Sequence, residues 1–142
     1  MNPQSLATAC VDEMLKGDAC SAALGMQLTE IDVQHACVKM AIRRDMVNGH
    51  GVCHGGMIFS LADSACAFAC NSENHSALVA GAQIDFLAPA KLNDVLTATA
   101  SMANQSKRKG IYDVSVVNQK NQLIALFRGH SHRLGVPTIE QN

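Results

Sequence analysis

The sequence is poor in charged residues and has no excess of either sign. Lys, Arg, Asp and Glu make up 16% of its 142 residues, and the formal net charge is −1. No overall field therefore attracts nucleic acid or an anionic membrane. Globular domains usually contain about 25% charged residues. The lower fraction predicts that part of the surface is covered by other subunits of an oligomer.

A long apolar run and a targeting segment are also lacking. No run approaches the roughly 18 residues that a membrane span requires. The first residues, Met1-Asn2-Pro3-Gln4, include neither the basic nor the apolar region that is typical of a signal peptide. We therefore expect a cytoplasmic protein without a membrane partner.

The six cysteines, at positions 10, 20, 37, 53, 66 and 70, include no Cys-x-x-Cys pair. In a reducing compartment they are expected to be free and mostly buried thiols. His50, Cys53 and His54 lie close enough in sequence to suggest metal ligands. No second cluster provides a fourth ligand at a familiar spacing, so the sequence predicts no metal site.

The apolar pattern predicts one α+β domain over residues 1–142. A helix starts at Asn2-Pro3 and ends near Gly17, and two strands follow within 26–43, with a turn near Gln34-His35. Residues 57–70 are apolar on nearly every side, which is typical of a buried helix. Four more strands are predicted at 77–87, 95–102, 111–117 and 123–133. One helix cannot serve as the crossover of a parallel sheet this large, so we predict a curved antiparallel sheet wrapped around the long central helix.

Asp63 is the only ionisable side chain in the predicted central helix other than its cysteines. Ser60, Asp63 and Ser64 lie at positions i, i+3 and i+4, so the three side chains share one helix face. No Lys or Arg occurs between Asp45 and Ala90, so the local sequence offers the carboxylate no cationic partner. Two interpretations remain open. Asp63 either accepts hydrogen bonds from a loop or the serines, or acts as a base or nucleophile with a pKa adjusted by burial.

A glycine-rich loop, residues 48–56, leads directly into this helix. Free backbone N–H groups at a helix start attract negative charge, and glycines allow a substrate oxygen to approach them. Such a site suits the oxyanion of an acyl-transfer intermediate. The loop does not fit a dinucleotide fingerprint, because His54 occupies the third glycine position, and no Gly-Lys-Ser/Thr follows as in a P-loop.

Helix geometry separates the loop from the carboxylate. Gly55 and Asp63 are eight residues apart, which corresponds to roughly 12 Å along a helix that starts near Gly56. One thioester carbonyl cannot contact both groups of the same chain. If both act on one carbonyl, they come from two subunits related by symmetry.

A basic segment, Lys107-Arg108-Lys109-Gly110, connects two predicted strands. It is either a solvated hairpin tip or a clamp for a ligand that carries several phosphates. Pro89 and Lys91, after another strand, are further candidate contacts for such a ligand.

These motifs resemble the PaaI-type thioesterases of the hotdog superfamily. The likeness begins with Asn48-Gly49-His50, Cys53-His54-Gly55-Gly56 and Phe59-Ser60-Leu61-Ala62-Asp63, the active-site loop and helix. It extends over nearly the whole chain through the segments 69–72, 84–89, 96–100, 125–129 and 131–133. The sequence departs from some relatives in residues 77–80, which carry no hydroxyl to position water.

The resemblance implies a hotdog-fold acyl-CoA thioesterase of the aerobic phenylacetate pathway. Its substrates would be phenylacetyl-CoA and ring-hydroxylated phenylacetyl-CoA. Asp63 would be the catalytic carboxylate and Gly55 the oxyanion-hole residue, with His54 and Asn48 lining the carbonyl site and Gly56 binding substrate. The family also implies active sites shared within a homodimer, pairing of dimers into a tetramer, and no metal or cofactor, coenzyme A being part of the substrate.

Two other functions compete with this prediction. A hotdog hydratase or dehydratase acts on acyl-CoA but needs a His–Asp or His–Glu pair at the carbon chain, whereas Asp63 is predicted to face a carbonyl loop. A non-catalytic acyl-CoA-binding protein usually carries a nucleic-acid-binding extension, for which this chain has no room.

Overall fold

The first helix shows how local sequence signals determine an element. In the computed structural model, which describes residues 1–141, helix α1 spans Pro3–Lys16. The Asn2 side chain accepts a hydrogen bond from the Ser5 amide at 2.8 Å, and proline occupies the first helical turn. Both features favour a helix start at this point. Gly17 follows the last helical residue, as predicted.

The remaining elements follow the predicted order with one addition. Helix α2, Ala19–Ala23, was not predicted, because five residues are too few to produce a periodic pattern; Asp18 caps it by accepting the Ser21 amide. A 3-10 turn covers Arg44–Met46. The long helix is α3, Gly55–Cys70. The strands are β1, Gln27–Asp32; β2, His35–Ala41; β3, Ala77–Phe86; β4, Val95–Gln105; β5, Lys109–Val117; and β6, Leu123–Arg133.

The six strands form one antiparallel sheet in the order β1-β2-β4-β5-β6-β3. Helix α3 contacts all six strands. Six strands about 4.8 Å apart span more than twice the width of one helix, so a flat sheet could not reach it with every strand. The sheet therefore curves around α3, and the predicted α+β architecture is confirmed.

Close packing between helix and sheet depends on a glycine in β6. A Cβ atom at Gly129 would lie 2.6 Å from the Cys66 sulfur of α3 and 3.0 Å from the Phe127 ring. The missing side chain thus lets the helix approach the sheet closely. This close approach buries the Cys66 thiol in the core.

Helix α3 is not buried on every side. Beyond its first turn, the residues that keep some exposed surface are Phe59, Ser60, Asp63, Ser64 and Ala67. Their spacing of three and four residues puts them on one stripe of the helix. The helix predicted to be buried is thus buried except along this open stripe, and Asp63 lies in the middle of the stripe.

The hairpin between β4 and β5 is tighter than predicted. Strand β4 continues to Gln105 and β5 begins at Lys109. Lys109 and Gly110 therefore lie in a strand, and the connection between the strands predicted at 95–102 and 111–117 is reduced to three residues. A Cβ at Gly110 would overlap the Gln105, Ser131 and Tyr112 side chains, so glycine is required here by packing.

All six cysteines are free, and every one except Cys20 is buried, as predicted. Within residues 1–141, no helix is long and apolar enough to span a membrane.

Candidate active site

The loop before α3 is organised by Asn48. Its side-chain oxygen accepts hydrogen bonds from the His50 amide at 2.9 Å and the Val52 amide at 3.3 Å. The backbone N–H of Asn48 donates to the Val52 carbonyl at 2.8 Å, and this hydrogen bond closes the loop between the two residues. Gly51 adopts φ +78°, a left-handed conformation that favours glycine. Asn48 thus positions the loop through its oxygen, and its NH₂ group is not used in these contacts.

The segment after β3 supports the same loop. The Cys53 amide donates to the Ala90 carbonyl at 2.7 Å, and Val52 pairs with Lys91 in an isolated β-bridge. These contacts bring Pro89 and Lys91, two predicted substrate contacts, beside the loop and the start of α3.

The start of α3 leaves one backbone donor free. His54 caps the helix, and its Nδ1 accepts a hydrogen bond from the Gly56 amide at 3.2 Å. The Met57 amide donates to the His54 carbonyl at 2.9 Å. Among the described residues, no acceptor pairs with the Gly55 amide. Because Nδ1 accepts, the neutral tautomer of His54 that fits this contact carries its proton on Nε2, which is then a second donor at the helix start.

The Gly55 amide borders a cleft of about 360 Å³. Its lining is mainly apolar and includes Val52, Ile58, Phe86 and Leu87. The Phe86 ring lies 3.0 Å from the position that a Cβ of Gly55 would occupy. Phe86 is nonetheless about half exposed, at 51% of its surface. Sequence reasoning missed this ring as a site residue, because contact between the end of β3 and the start of α3 is a tertiary feature.

Asp63 lies farther along α3, on the open stripe. Burial raises the pKa of its carboxyl above the ordinary value, and no hydrogen bond or ion pair among residues 1–141 lowers it again. The Ser60 hydroxyl donates to the Gly56 carbonyl at 2.9 Å rather than to Asp63. Within residues 1–141 of one chain, Asp63 therefore accepts no hydrogen bond from a loop or from Ser60. An isolated, half-buried carboxylate with a raised pKa is typical of a functional group.

One chain does not bring Asp63 and Gly55 to the same place. Since α3 begins at Gly55, the two residues are separated by eight helical positions, or roughly 12 Å. The cleft beside Gly55 is lined by Val52, Cys53, Gly55, Ile58 and residues 86–90, and Asp63 is not among them.

Cys53 is not suited to be a nucleophile. Burial raises the pKa of its thiol to about 11, so the thiol stays protonated near neutral pH. The hydrogen atom of its Sγ points to the His54 carbonyl at 3.5 Å. Together with the capping role of His54, this places the sulfur and the His54 ring in separate hydrogen bonds rather than around a common centre.

The basic hairpin tip is exposed. Lys107, Arg108 and Lys109 have solvent-exposed side chains, and none of them joins an ion pair within the described chain. The Arg133 amide donates to the Arg108 carbonyl at 2.8 Å, which ties the tip to β6. Lys109 and Gly110 line a cleft of about 440 Å³ together with His130 and His132.

Comparison with protein families identifies one match. The model of the thioesterase superfamily matches residues 50–125, which include residues 50–56 of the loop, α3 and strands β3 to β5. The acyl-coenzyme A thioesterase PaaI of Escherichia coli K12 is 48% identical over 122 residues, covering 86% of this chain and 87% of that protein.

Solved structures agree with this match. The E. coli PaaI protein from the phenylacetic acid degradation operon superposes with a TM-score of 0.94 at 44% identity, over 96% of this chain and 99% of that one. A variant of phenylacetic acid degradation protein PaaI from Thermus thermophilus superposes with a TM-score of 0.77 at 34% identity, covering 80% and 97% of the two chains.

Proposed function

This chain belongs to the thioesterase superfamily and is an acyl-CoA thioesterase of the hotdog fold, and we propose that its substrates are phenylacetyl-CoA and ring-hydroxylated phenylacetyl-CoA. The observation that carries the proposal is the unpaired Gly55 amide beside an apolar cleft that contains the Phe86 ring. The cleft offers an aromatic acyl group a ring to pack against, while the thioester oxygen reaches the amide. The enzyme would act in the cytoplasm, in phenylacetate degradation.

The oxyanion site is proposed to consist of donors at the start of α3. The thioester oxygen gains negative charge as its carbonyl carbon is attacked. In this proposal the Gly55 N–H and the Nε2–H of His54 both donate to that oxygen, and the positive end of the helix dipole favours the charge. Asn48 holds the loop that carries these donors, and Gly56 keeps the helix start free of a side chain.

Asp63 is proposed to supply the carboxylate that either attacks the thioester or activates water. In its ionised form it either adds to the thioester carbon or removes a proton from the attacking water. Release of the CoA thiolate and hydrolysis then give the free acid and CoA. The site needs no metal or cofactor for this chemistry, because the oxyanion donors stabilise the developing charge and the carboxylate attacks the thioester or activates water.

Each active site is proposed to combine Gly55 of one subunit with Asp63 of a second copy. Strand β3 lies at an edge of the sheet, where unpaired backbone groups can bond to another chain. Its end carries the exposed Phe86 beside Gly55, and the open stripe of α3 carries Asp63. A two-fold dimer that covers both features contains two equivalent sites. We further propose that two such dimers pair into a tetramer.

The substrate proposal is tested by ranking acyl-CoA substrates. We expect kcat/KM for phenylacetyl-CoA and its ring-hydroxylated forms to exceed that for acetyl-CoA by at least about tenfold, because an aryl group buries more apolar surface in the cleft. CoA release is followed with a thiol reagent. Equal or higher kcat/KM for a short aliphatic ester would overturn the aryl preference, and absorbance changes of an enoyl group without thiol release would indicate a hydratase.

The basic tip is proposed to bind the phosphates of CoA. Arg108→Ala should raise KM for CoA esters several-fold, and the increase should shrink at high salt because exposed charges are screened. Part of this binding energy can also position the carbonyl, so kcat falls somewhat. Initial rates measured at two salt concentrations provide the test.

A truncated thioester without the nucleotide is the control substrate. It has no phosphates to place on the tip, so its hydrolysis should be nearly indifferent to Arg108→Ala. Equal impairment of both substrates, or no effect on either, would remove the tip from the binding site. Arg44→Ala, at another exposed arginine, is the matched control variant.

A further inference from the structure

Three potential metal ligands meet on the face of the sheet opposite α3. They are Glu30 of β1 and His35 and Cys37 of β2, whose ligand atoms all lie within 4.8 Å of one another. Cys37 is only 7% exposed, yet its sulfur is not part of the hydrophobic core, which takes the alternate residues Ala36, Val38 and Met40 of the same strand. Packing of the core therefore does not explain why the Cys37 thiol is buried among polar atoms.

A bulge in β1 creates this cluster. Leu28 pairs with Val38, but the register then shifts, so that Glu30 rather than Thr29 faces Cys37. Bulges of this kind re-aim a side chain. Without the extra residue, the carboxylate of Glu30 would be on the other face of the strand. His35 and Cys37 are two residues apart on one strand and therefore share a face.

The distances suit a tetrahedral cation. Cys37 Sγ lies 3.0 Å from Glu30 Oε2 and 3.7 Å from His35 Nε2, and the His35 and Glu30 atoms are 3.6 Å apart. With metal bonds of 2.0–2.3 Å, adjacent ligands of tetrahedral Zn²⁺ are roughly 3.3–3.6 Å apart. The three atoms thus already form nearly one face of the tetrahedron, and a water molecule or the Thr99 hydroxyl, 3.5 Å from the sulfur, can take the fourth position.

The histidine also has the supporting contact that metal ligands usually show. His35 Nδ1 lies 3.3 Å from the Ser101 hydroxyl of β4. Donation from Nδ1–H to that oxygen leaves Nε2 unprotonated and directed at the cluster. Such a contact fixes the ring and its tautomer in most metal sites. The exposed Glu30 side chain and the partly exposed His35 side chain give a cation access from solvent.

We propose that Glu30, His35 and Cys37 bind one Zn²⁺-class divalent ion per chain, which ties the edge strand β1 to β2. The site is separate from the thioesterase centre, since its side chains lie on the other face of the sheet from α3. On binding, the Sγ–H bond of Cys37 breaks, its proton goes to the buffer, and the thiolate binds the metal. This cluster was missed in sequence because a bulged strand pair has no ligand spacing that a motif describes.

The test uses Co²⁺ and Zn²⁺ alone with the intact protein, purified and then freed of metal by a chelator. We expect one Co²⁺ per chain, with a thiolate charge-transfer band in the near ultraviolet. Zn²⁺ should displace it and raise the melting temperature. Calorimetry in buffers of different ionisation enthalpy should count about one proton released per Zn²⁺, from the thiol that becomes a thiolate.

Matched variants locate the site. Cys37→Ala should abolish the charge-transfer band, and Glu30→Gln and Ser101→Ala should each weaken Zn²⁺ binding by about 10–100-fold. Cys20→Ala, which removes the exposed thiol, should leave binding unchanged. Absence of the band in the unaltered protein, or its persistence in Cys37→Ala, overturns the proposal, and both outcomes are independent of thioesterase activity.

Discussion

Replacing Asp63 with asparagine is expected to reduce kcat by a factor on the order of 10²–10⁴, the range typical for loss of a general base. Asparagine keeps the shape of the side chain but can neither take a proton nor form an acyl intermediate as the carboxylate does. Turnover of phenylacetyl-CoA, measured by CoA release at saturating substrate, provides the test. Activity within a few-fold of the unaltered enzyme would contradict the role assigned to Asp63.

Although Asp63→Asn is expected to lower kcat, it is not expected to lower the stability of the folded protein. Because burial raises the pKa of Asp63 in the folded chain, its charged form is tolerated less well when folded than when unfolded. The contribution of this group to stability is therefore greatest below its unfolded pKa and is lost as the pH rises through its folded pKa. At neutral pH, Asp63→Asn removes a buried charge, so the variant should melt at the same temperature or higher.

The control is the same change at an exposed carboxylate. Asp12→Asn, on the outer side of α1, should alter neither kcat nor the melting temperature measurably. In the unaltered enzyme, kcat/KM should fall towards acid pH with an apparent pKa above the 3.8 of an ordinary aspartate, since only the ionised group acts. An inactive Asp63→Asn protein that also melts early would point to misfolding and not to lost chemistry.

Activity is expected to return when two inactive variants form mixed dimers. Asp63→Asn lacks the carboxylate, and Gly55→Leu places a side chain in the cleft against Phe86. If each site combines groups from two subunits, a mixed dimer holds one site with both functional groups. Random pairing of equal amounts makes half of the dimers mixed, so the activity should reach about a quarter of that of the unaltered enzyme. Co-expression, followed by assay of the purified mixture, measures this value.

A doubly altered chain supplies the complementary test. In a mixed dimer of the unaltered chain with Asp63→Asn/Gly55→Leu, both shared sites lack one group. The activity of an equal mixture should then be about a quarter of that of the unaltered enzyme, against about half if each chain holds a complete site. No recovery in the first mixture together with half activity in the second would refute shared sites. Circular dichroism and size-exclusion chromatography of each variant verify folding and subunit exchange.

Much of the fold could be predicted because local signals agreed with each other. The Asn2 cap, the apolar run of α3 and the alternation in β2 are properties of neighbouring residues, and each element formed where its pattern indicated. The predictions were wrong where the length of an element, or its pairing with another strand, determined the structure. Helix α2 is too short for a period, and β4 and β5 extend towards each other because strand pairing continues beyond their apolar residues.

The candidate site likewise has parts that local sequence predicted and parts that depend on tertiary packing. The glycine-rich loop and Asp63 could be found in sequence because a lone carboxylate in an apolar helix and glycines before that helix are unusual in themselves. Helix rise alone also separated Gly55 from Asp63. The Phe86 contact could not be found, since residues 55 and 86 approach only through the packing of β3 against α3.

The sequence by itself therefore predicted the order of the main elements, which the structure confirms, and it also predicted the residues of the candidate site and the contribution of a second subunit to that site. All of these depend on spacing along one helix or strand. Only the tertiary structure decided which helix stripe stays open around Asp63, which amide of the loop remains unpaired, and that a bulge turns Glu30 towards His35 and Cys37. These features arise from the curvature and register of the sheet, which are set by the packing of all strands around α3 and not by the preference of any single segment.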